Sequence, residues 1–120
     1  MVFHHTRWTE EAQNMIKRIS LVWKRRELSD PEFRKLWLGE HVDYAKRLPG
    51  LREYVIDFIA EGPPDAPSGI ATLRFDTREA LEAAFSIAEI KDNLWRTRQQ
   101  FAAAVQVMVV EENIVVGDEK

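Results

Sequence analysis

The chain has 120 residues and 45% hydrophobic content, enough for one domain with a modest core and too little for two. Lys and Arg number 17 against 20 Asp and Glu, a net charge of −3 with the two signs interspersed, so there is no basic footprint for nucleic acid. Cysteine is absent, which excludes disulfides, thiolate nucleophiles and cysteine-ligated zinc, and no apolar run reaches the about 20 residues of a membrane helix. With no signal-peptide core at the N-terminus either, a cytoplasmic protein without a membrane partner is expected.

Residues 1–14 read as an arm with little core of its own, in which Thr9, Glu10 and Glu11 can open a short helix behind Trp8. Over 15–24 the apolar side chains split by parity, with Ile19, Leu21 and Trp23 on one face and Ile16 and Val22 on the other, which predicts a strand covered on both faces. Leu28-Ser29-Asp30-Pro31-Glu32 then starts a helix. Ser29 and Glu32 have capping-box spacing, and Asp30 before Pro31 is the competing cap. This helix is expected to run to about Arg47 and to stop at Pro49-Gly50. Its apolar stripe is Phe33, Trp37, His41, Tyr44 and Leu48, so the imidazole should point inward among aromatics.

Residues 51–60 alternate tyrosine, valine and isoleucine with charges and read as a second strand; 62–69, rich in Gly and Pro, form a loop. A third strand covers 70–75. Asp76 or Thr77 caps a second helix with Leu81, Ala84, Phe85 and Ala88 inward. The pattern breaks near Ser86, and Ile87, Ile90, Leu94 and Phe101 carry a further helix to about Ala103. Glu89, Lys91, Asp92, Arg96 and Arg98 read as its solvated face. Residues 105–110 are the last strand, and 113–120 are a tail. The order is βαββαβ, an α+β, ferredoxin-like arrangement in which an antiparallel sheet carries its helices on one face.

One layer of helices buries one sheet face, yet Leu21 and Val22, Val55 and Ile56, Met108 and Val109 put apolar residues on both. An uncovered apolar face is an association surface. A homodimer pairing sheet against sheet is expected, with Ile114-Val115-Val116 crossing onto the partner subunit.

The inward histidine has two explanations, a core residue with satisfied nitrogens or a proton carrier in a cleft. Among aromatics its neutral form is favoured, which suits a general base. Tyr54 or Tyr44 can supply a phenol to a developing oxyanion, and Trp23, Trp37 and Phe58 can wall a flat apolar ligand. Proton abstraction beside a carbonyl by His41, leading to cyclisation, dehydration, isomerisation or decarboxylation, is the concrete expectation. A non-catalytic protein that binds a small hydrophobic or aromatic ligand is the alternative. Glu40, His41 and Asp43 point in different helical directions, so no metal site is expected there.

Phe33-Arg34-Lys35-Leu36-Trp37-Leu38-Gly39-Glu40-His41 followed by Leu48-Pro49-Gly50-Leu51-Arg52-Glu53-Tyr54 resembles the EthD family, named for its association with ethyl tert-butyl ether degradation. Phe75, Leu81, Ala84 and Val109-Val110-Glu111-Glu112 extend the resemblance, which covers about 15–112. It implies a dimeric α+β barrel whose pocket works without metal or organic cofactor. Methylmuconolactone methylisomerases are related, and polyketide cyclases and decarboxylases occur in similar barrels. In isomerase-like members, histidine and tyrosine matching His41 and Tyr54 line the pocket, and a further histidine comes from the loop after the second strand. This chain has only Glu61 and Asp65 as ionisable groups in that loop, which argues against the lactone isomerisation itself. A haem- or oxygen-using relative among dimeric α+β barrels is a third reading, since a pocket histidine can ligate iron, and a Soret band in the purified protein would support it.

Overall fold

The computed structural model describes residues 15–117; the arm expected over 1–14 and the last residues of the tail lie outside them. In chain order the elements are β1 (Ile16–Lys24), α1 (Asp30–Leu36), a wide helical turn (Trp37–His41), α2 (Val42–Ala45), β2 (Glu53–Phe58), β3 (Gly69–Phe75), α3 (Arg78–Ala84), α4 (Ala88–Arg98) and β4 (Ala102–Glu111). The strands form one antiparallel sheet in the order β2-β3-β1-β4. This is the ferredoxin-like βαββαβ topology that the periodicity predicts. Among the described residues no helix is long and apolar enough to cross a membrane.

Local chemistry explains the boundaries. Ser29 wins the competition for the first cap: its hydroxyl accepts from the Glu32 N–H at 3.2 Å, and the Glu32 carboxylate accepts from the Ser29 N–H at 2.8 Å. Thr77, not Asp76, caps α3 by accepting from the Ala80 N–H at 3.1 Å. Before β2 the Leu51 N–H donates to the Leu48 carbonyl across Pro49 and Gly50. Gly50 stands at φ 81°, the left-handed value that the third residue of a type II turn requires.

The core lies between the helices and the inner face of the sheet, where Ile16, Val22, Phe33, Trp37, Leu48, Ala71, Leu73, Phe75, Leu81, Ala84, Ile90 and Phe101 form one buried cluster. Trp37 is its centre, stacked on Phe101 with ring centroids 5.3 Å apart and edge-on to Phe33 and Phe58. Gly69 permits this, because a β-carbon there would stand 2.5 Å from the Trp37 ring. That ring is 1% exposed and has nowhere to retreat. Gly69→Ala is therefore expected to lower stability by about 1–3 kcal/mol in urea denaturation, although alanine suits a strand better than glycine does.

Three expectations are corrected. The first helix does not run unbroken to Arg47: Gly39, at φ −90° and ψ −119°, leaves helical geometry and creates the wide turn. An added residue in the turn delays the inward face by one position, so Ala45 is buried where the uninterrupted stripe predicts Tyr44. Tyr44 instead lies beside the Arg47 guanidinium at 4.6 Å, with that of Arg96 at 5.9 Å. The final helix ends at Arg98 rather than Ala103, and β4 starts at Ala102. Alanines favour a helix locally, but Ala102 and Ala104 pair with Lys24 and Trp23 of β1, and the sheet prevails. Likewise Ala88 is exposed, because the predicted break near Ser86 separates α3 from α4 and restarts the phase.

The outer sheet face carries Ile19, Leu21 and Trp23 of β1, Val55 of β2, Ile70 of β3 and Met108 of β4, as their pairing registers show. Val55 and Met108 are 38% and 37% exposed, and Ile114, Val115 and Val116 beyond β4 are more so.

Candidate functional site

Between the inner face of the sheet and the helical layer lies a cavity of about 150 Å³. Its apolar wall includes Val22, Trp37, Ala71, Leu73, Leu94, Phe101 and Val105, and its polar groups include Arg18, Ser20, His41, Tyr54, Lys91 and Arg98. The wide turn brings His41 to this cavity, and α4 supplies its partner. The His41 Nδ1 lies 2.7 Å from the Thr97 Oγ1, and Thr97 is 1% exposed. The Phe101 ring meets the imidazole edge-on, with centroids 5.1 Å apart.

Thr97 favours one tautomer. Its hydroxyl has one proton and donates it to the Asn93 carbonyl at 2.8 Å, with Leu94 O at 3.3 Å as the weaker alternative. A hydroxyl that donates into its own helix in this way accepts from His41, an arrangement in which the imidazole proton is on Nδ1. Nε2 keeps its lone pair. Among the described residues Nε2 has no hydrogen-bond partner and is not one of the sealed unpartnered atoms, and His41 lines the cavity. Burial, then the charges of Arg98 and Arg18, hold the His41 pKa down at about 4. The ring is neutral at physiological pH.

Tyr54 reaches the same cavity from the inner face of β2. Burial pushes its hydroxyl up to about 12, and the Trp37 indole opposes this in part. The phenol keeps its proton and is available as a donor. Trp37 lines the cavity beside it.

Trp23, Tyr44 and Phe58 are not brought to this cavity. Trp23, on the outer face, donates its indole N–H to the Asp65 carbonyl at 3.1 Å and so anchors the loop before β3. Phe58 packs on Phe33 and Trp37 under the Arg34 guanidinium and faces a separate hollow that also contains Glu61. Neither Glu61 nor Asp65 lies at His41, so neither stands in for the loop histidine of the isomerase-like pattern.

Sequence reasoning missed Arg18, Ser20, Thr97, Phe85, Trp95 and Arg98. For Arg18 and Ser20 the signal was available, since they share inward parity with Ile16 and Val22. Arg98, read as part of a solvated helix face, is half-buried and lines the cavity; Lys91 lines it too while remaining exposed, and Arg96 pairs at the surface with Glu40 at 2.7 Å. Thr97 follows Asn93 and Leu94 by four and three residues on α4. A buried threonine bonding back to its own helix is seen only once the fold is known.

No family model and no curated relative matches the chain. Solved structures do. An EthD-family protein from Bacillus halodurans C-125 superposes with a TM-score of 0.66 at 24% identity, covering 82% of this chain and 98% of its own. A dimeric ferredoxin-like protein of unknown function from Thermobifida fusca gives 0.66 at 11% identity, over 82% and 91% of the two chains. SnoaB, a cofactor-independent oxygenase from Streptomyces nogalater, gives 0.64 at 8% identity, over 88% and 99% of the two chains. The resemblance to the EthD family thus extends from short motifs to the whole ferredoxin-like fold, which this chain shares with that family's protein.

Proposed function

We propose that the chain is a small enzyme, needing no cofactor, that abstracts a proton beside a carbonyl in a hydrophobic, flat substrate. The observation that carries this reading is the Thr97–His41 pair beside an aromatic-walled cavity, and on this reading Thr97 holds the Nδ1 proton and leaves Nε2 unprotonated toward that cavity. Nε2 takes the carbon-bound proton, the electron pair moves onto the carbonyl oxygen, and the Tyr54 hydroxyl donates to the resulting enolate. The positive charge of His41 then develops on a ring whose Nδ1–H is already held. Cyclisation, dehydration, isomerisation or decarboxylation follows from collapse of that enolate. SnoaB, described as a cofactor-independent oxygenase, is a precedent for chemistry without a cofactor on this fold.

Deuterium exchange tests the step without knowledge of the natural substrate. Aromatic β-keto compounds incubated in D2O should gain deuterium beside the carbonyl faster with the wild-type chain than with His41→Ala. Equal exchange, with binding retained in both, favours the ligand-binding alternative.

The same reading includes a homodimer that covers the outer sheet face. Its support is the apolar set Ile19, Leu21, Val55, Ile70 and Met108, together with the dimeric description of the Thermobifida fusca protein. Residues 114–116 would extend onto the partner subunit. Sedimentation should give a dimer for the wild type and a folded monomer for Leu21→Glu, because a carboxylate at the centre of an apolar interface stays unpaired. A wild-type monomer at micromolar concentration would remove this part of the reading.

A further inference from the structure

Four arginines elsewhere in the fold have carboxylate partners, Arg25 with Glu27 at 2.6 Å, Arg52 with Asp76 at 2.7 Å, Arg74 with Glu53 at 3.2 Å and Arg96 with Glu40 at 2.7 Å, and Arg26, Arg34, Arg47 and Arg78, which have none among the described residues, are exposed to solvent. Arg18 and Arg98 differ. Both line the His41 cavity, and among the described residues neither has a carboxylate partner. Lys91 lines the same space, and no Asp or Glu does. Like charges gathered in a half-buried space repel and lose hydration; burial and the neighbouring Arg98 hold Arg18 below its ordinary pKa.

Each guanidinium is oriented. Arg18 stacks over the Phe85 ring at 4.4 Å and donates to the Ser20 Oγ at 3.3 Å, and Arg98 stacks over Trp95 at 4.6 Å. Stacking uses the face of the guanidinium and leaves edge N–H groups for an acceptor, and a rigid fork of such donors suits a carboxylate. Beyond them the wall is Trp37, Leu73, Leu94 and Phe101, suited to an apolar body.

We infer that Arg18 and Arg98 form an anion subsite, which holds the carboxylate of a flat aromatic acid whose apolar body extends into the cavity toward His41. This rests on the proposed function and names the substrate class for it. It also bears on the base. A neutral imidazole with a pKa near 4 is a weak acceptor for a carbon-bound proton, and two of the causes that hold it there are the charges of Arg98 and Arg18. A bound carboxylate offsets both and leaves desolvation as the remaining cause, so substrate charge raises the basicity of His41 as it binds.

Calorimetric titration with 2-naphthoate and its near-isostere 2-naphthamide tests the subsite, and the wild-type comparison needs no variant to fold. The acid is expected to bind at least about tenfold tighter than the amide. In Arg18→Gln/Arg98→Gln the ratio should fall to about one, with circular dichroism confirming the fold. Equal binding of acid and amide to the wild type overturns the anion subsite and leaves the cavity reading in place. Binding of neither overturns both. Displacement of naphthoate by an equal concentration of inorganic phosphate assigns the arginines to phosphate and overturns the aromatic acid.

Discussion

Replacing His41 with alanine is expected to lower proton abstraction by about 10²–10⁴-fold, the range a positioned general base contributes, while the protein remains folded. The two effects separate because His41 is only half buried and joins the core through one hydrogen bond, to Thr97, and one aromatic edge, to Phe101. Loss of that hydrogen bond costs about 1 kcal/mol, and Thr97 keeps its bond to Asn93. Thr97→Val discriminates further. It removes the acceptor for Nδ1–H while conserving shape, so the ring loses its tautomer preference, and activity should fall well below wild type with Nε2 still present. A His41→Ala variant with unchanged deuterium exchange and a large drop in melting temperature would make the residue structural.

The second large effect is on stability against pH. The unfolded chain's imidazole takes a proton near the ordinary 6.5, whereas the folded one resists protonation down to about 4 because of burial and the charges of Arg98 and Arg18. Between those values the unfolded state binds more protons, so stability falls as pH drops through the window and the effect levels off beneath it. The window is worth at most about 3 kcal/mol. His41→Asn lacks the titrating group. Urea denaturation at pH 7 and pH 4 should show the wild type losing more than this variant, with carboxylate contributions common to both cancelling in the difference. Parallel losses would mean that His41 is solvated and titrates normally.

The order of elements was legible because it rests on local chemistry: the Ser29 capping box, the Pro49-Gly50 turn, alternation in β1 and β3, and the break near Ser86. The inward orientation of His41 was legible from the Phe33 and Trp37 spacing. The kink at Gly39 was not, because a single glycine inside a periodic helix is ordinarily tolerated, and the shift from Tyr44 to Ala45 depends on it. The cationic end of the cavity was misread for a different reason. Long charged side chains on a polar helix normally face water, and only the antiparallel pairing of β1 with β4, together with the packing of α4, brings Arg18 and Arg98 to one space. Thr97 was invisible because its partner is 56 residues away in sequence. Tertiary contacts of that range leave no periodic trace.

One proton on His41 decides whether this residue can act as the base. Long-range ¹H–¹⁵N correlation spectra of the ¹⁵N-labelled protein at pH 7 report which imidazole nitrogen of His41 carries it. The expected spectrum shows Nδ1 protonated and Nε2 bare, with the pattern persisting until the pH falls to about 4. A proton on Nε2, or a midpoint at the ordinary 6.5, would contradict the assignment of His41 as the base.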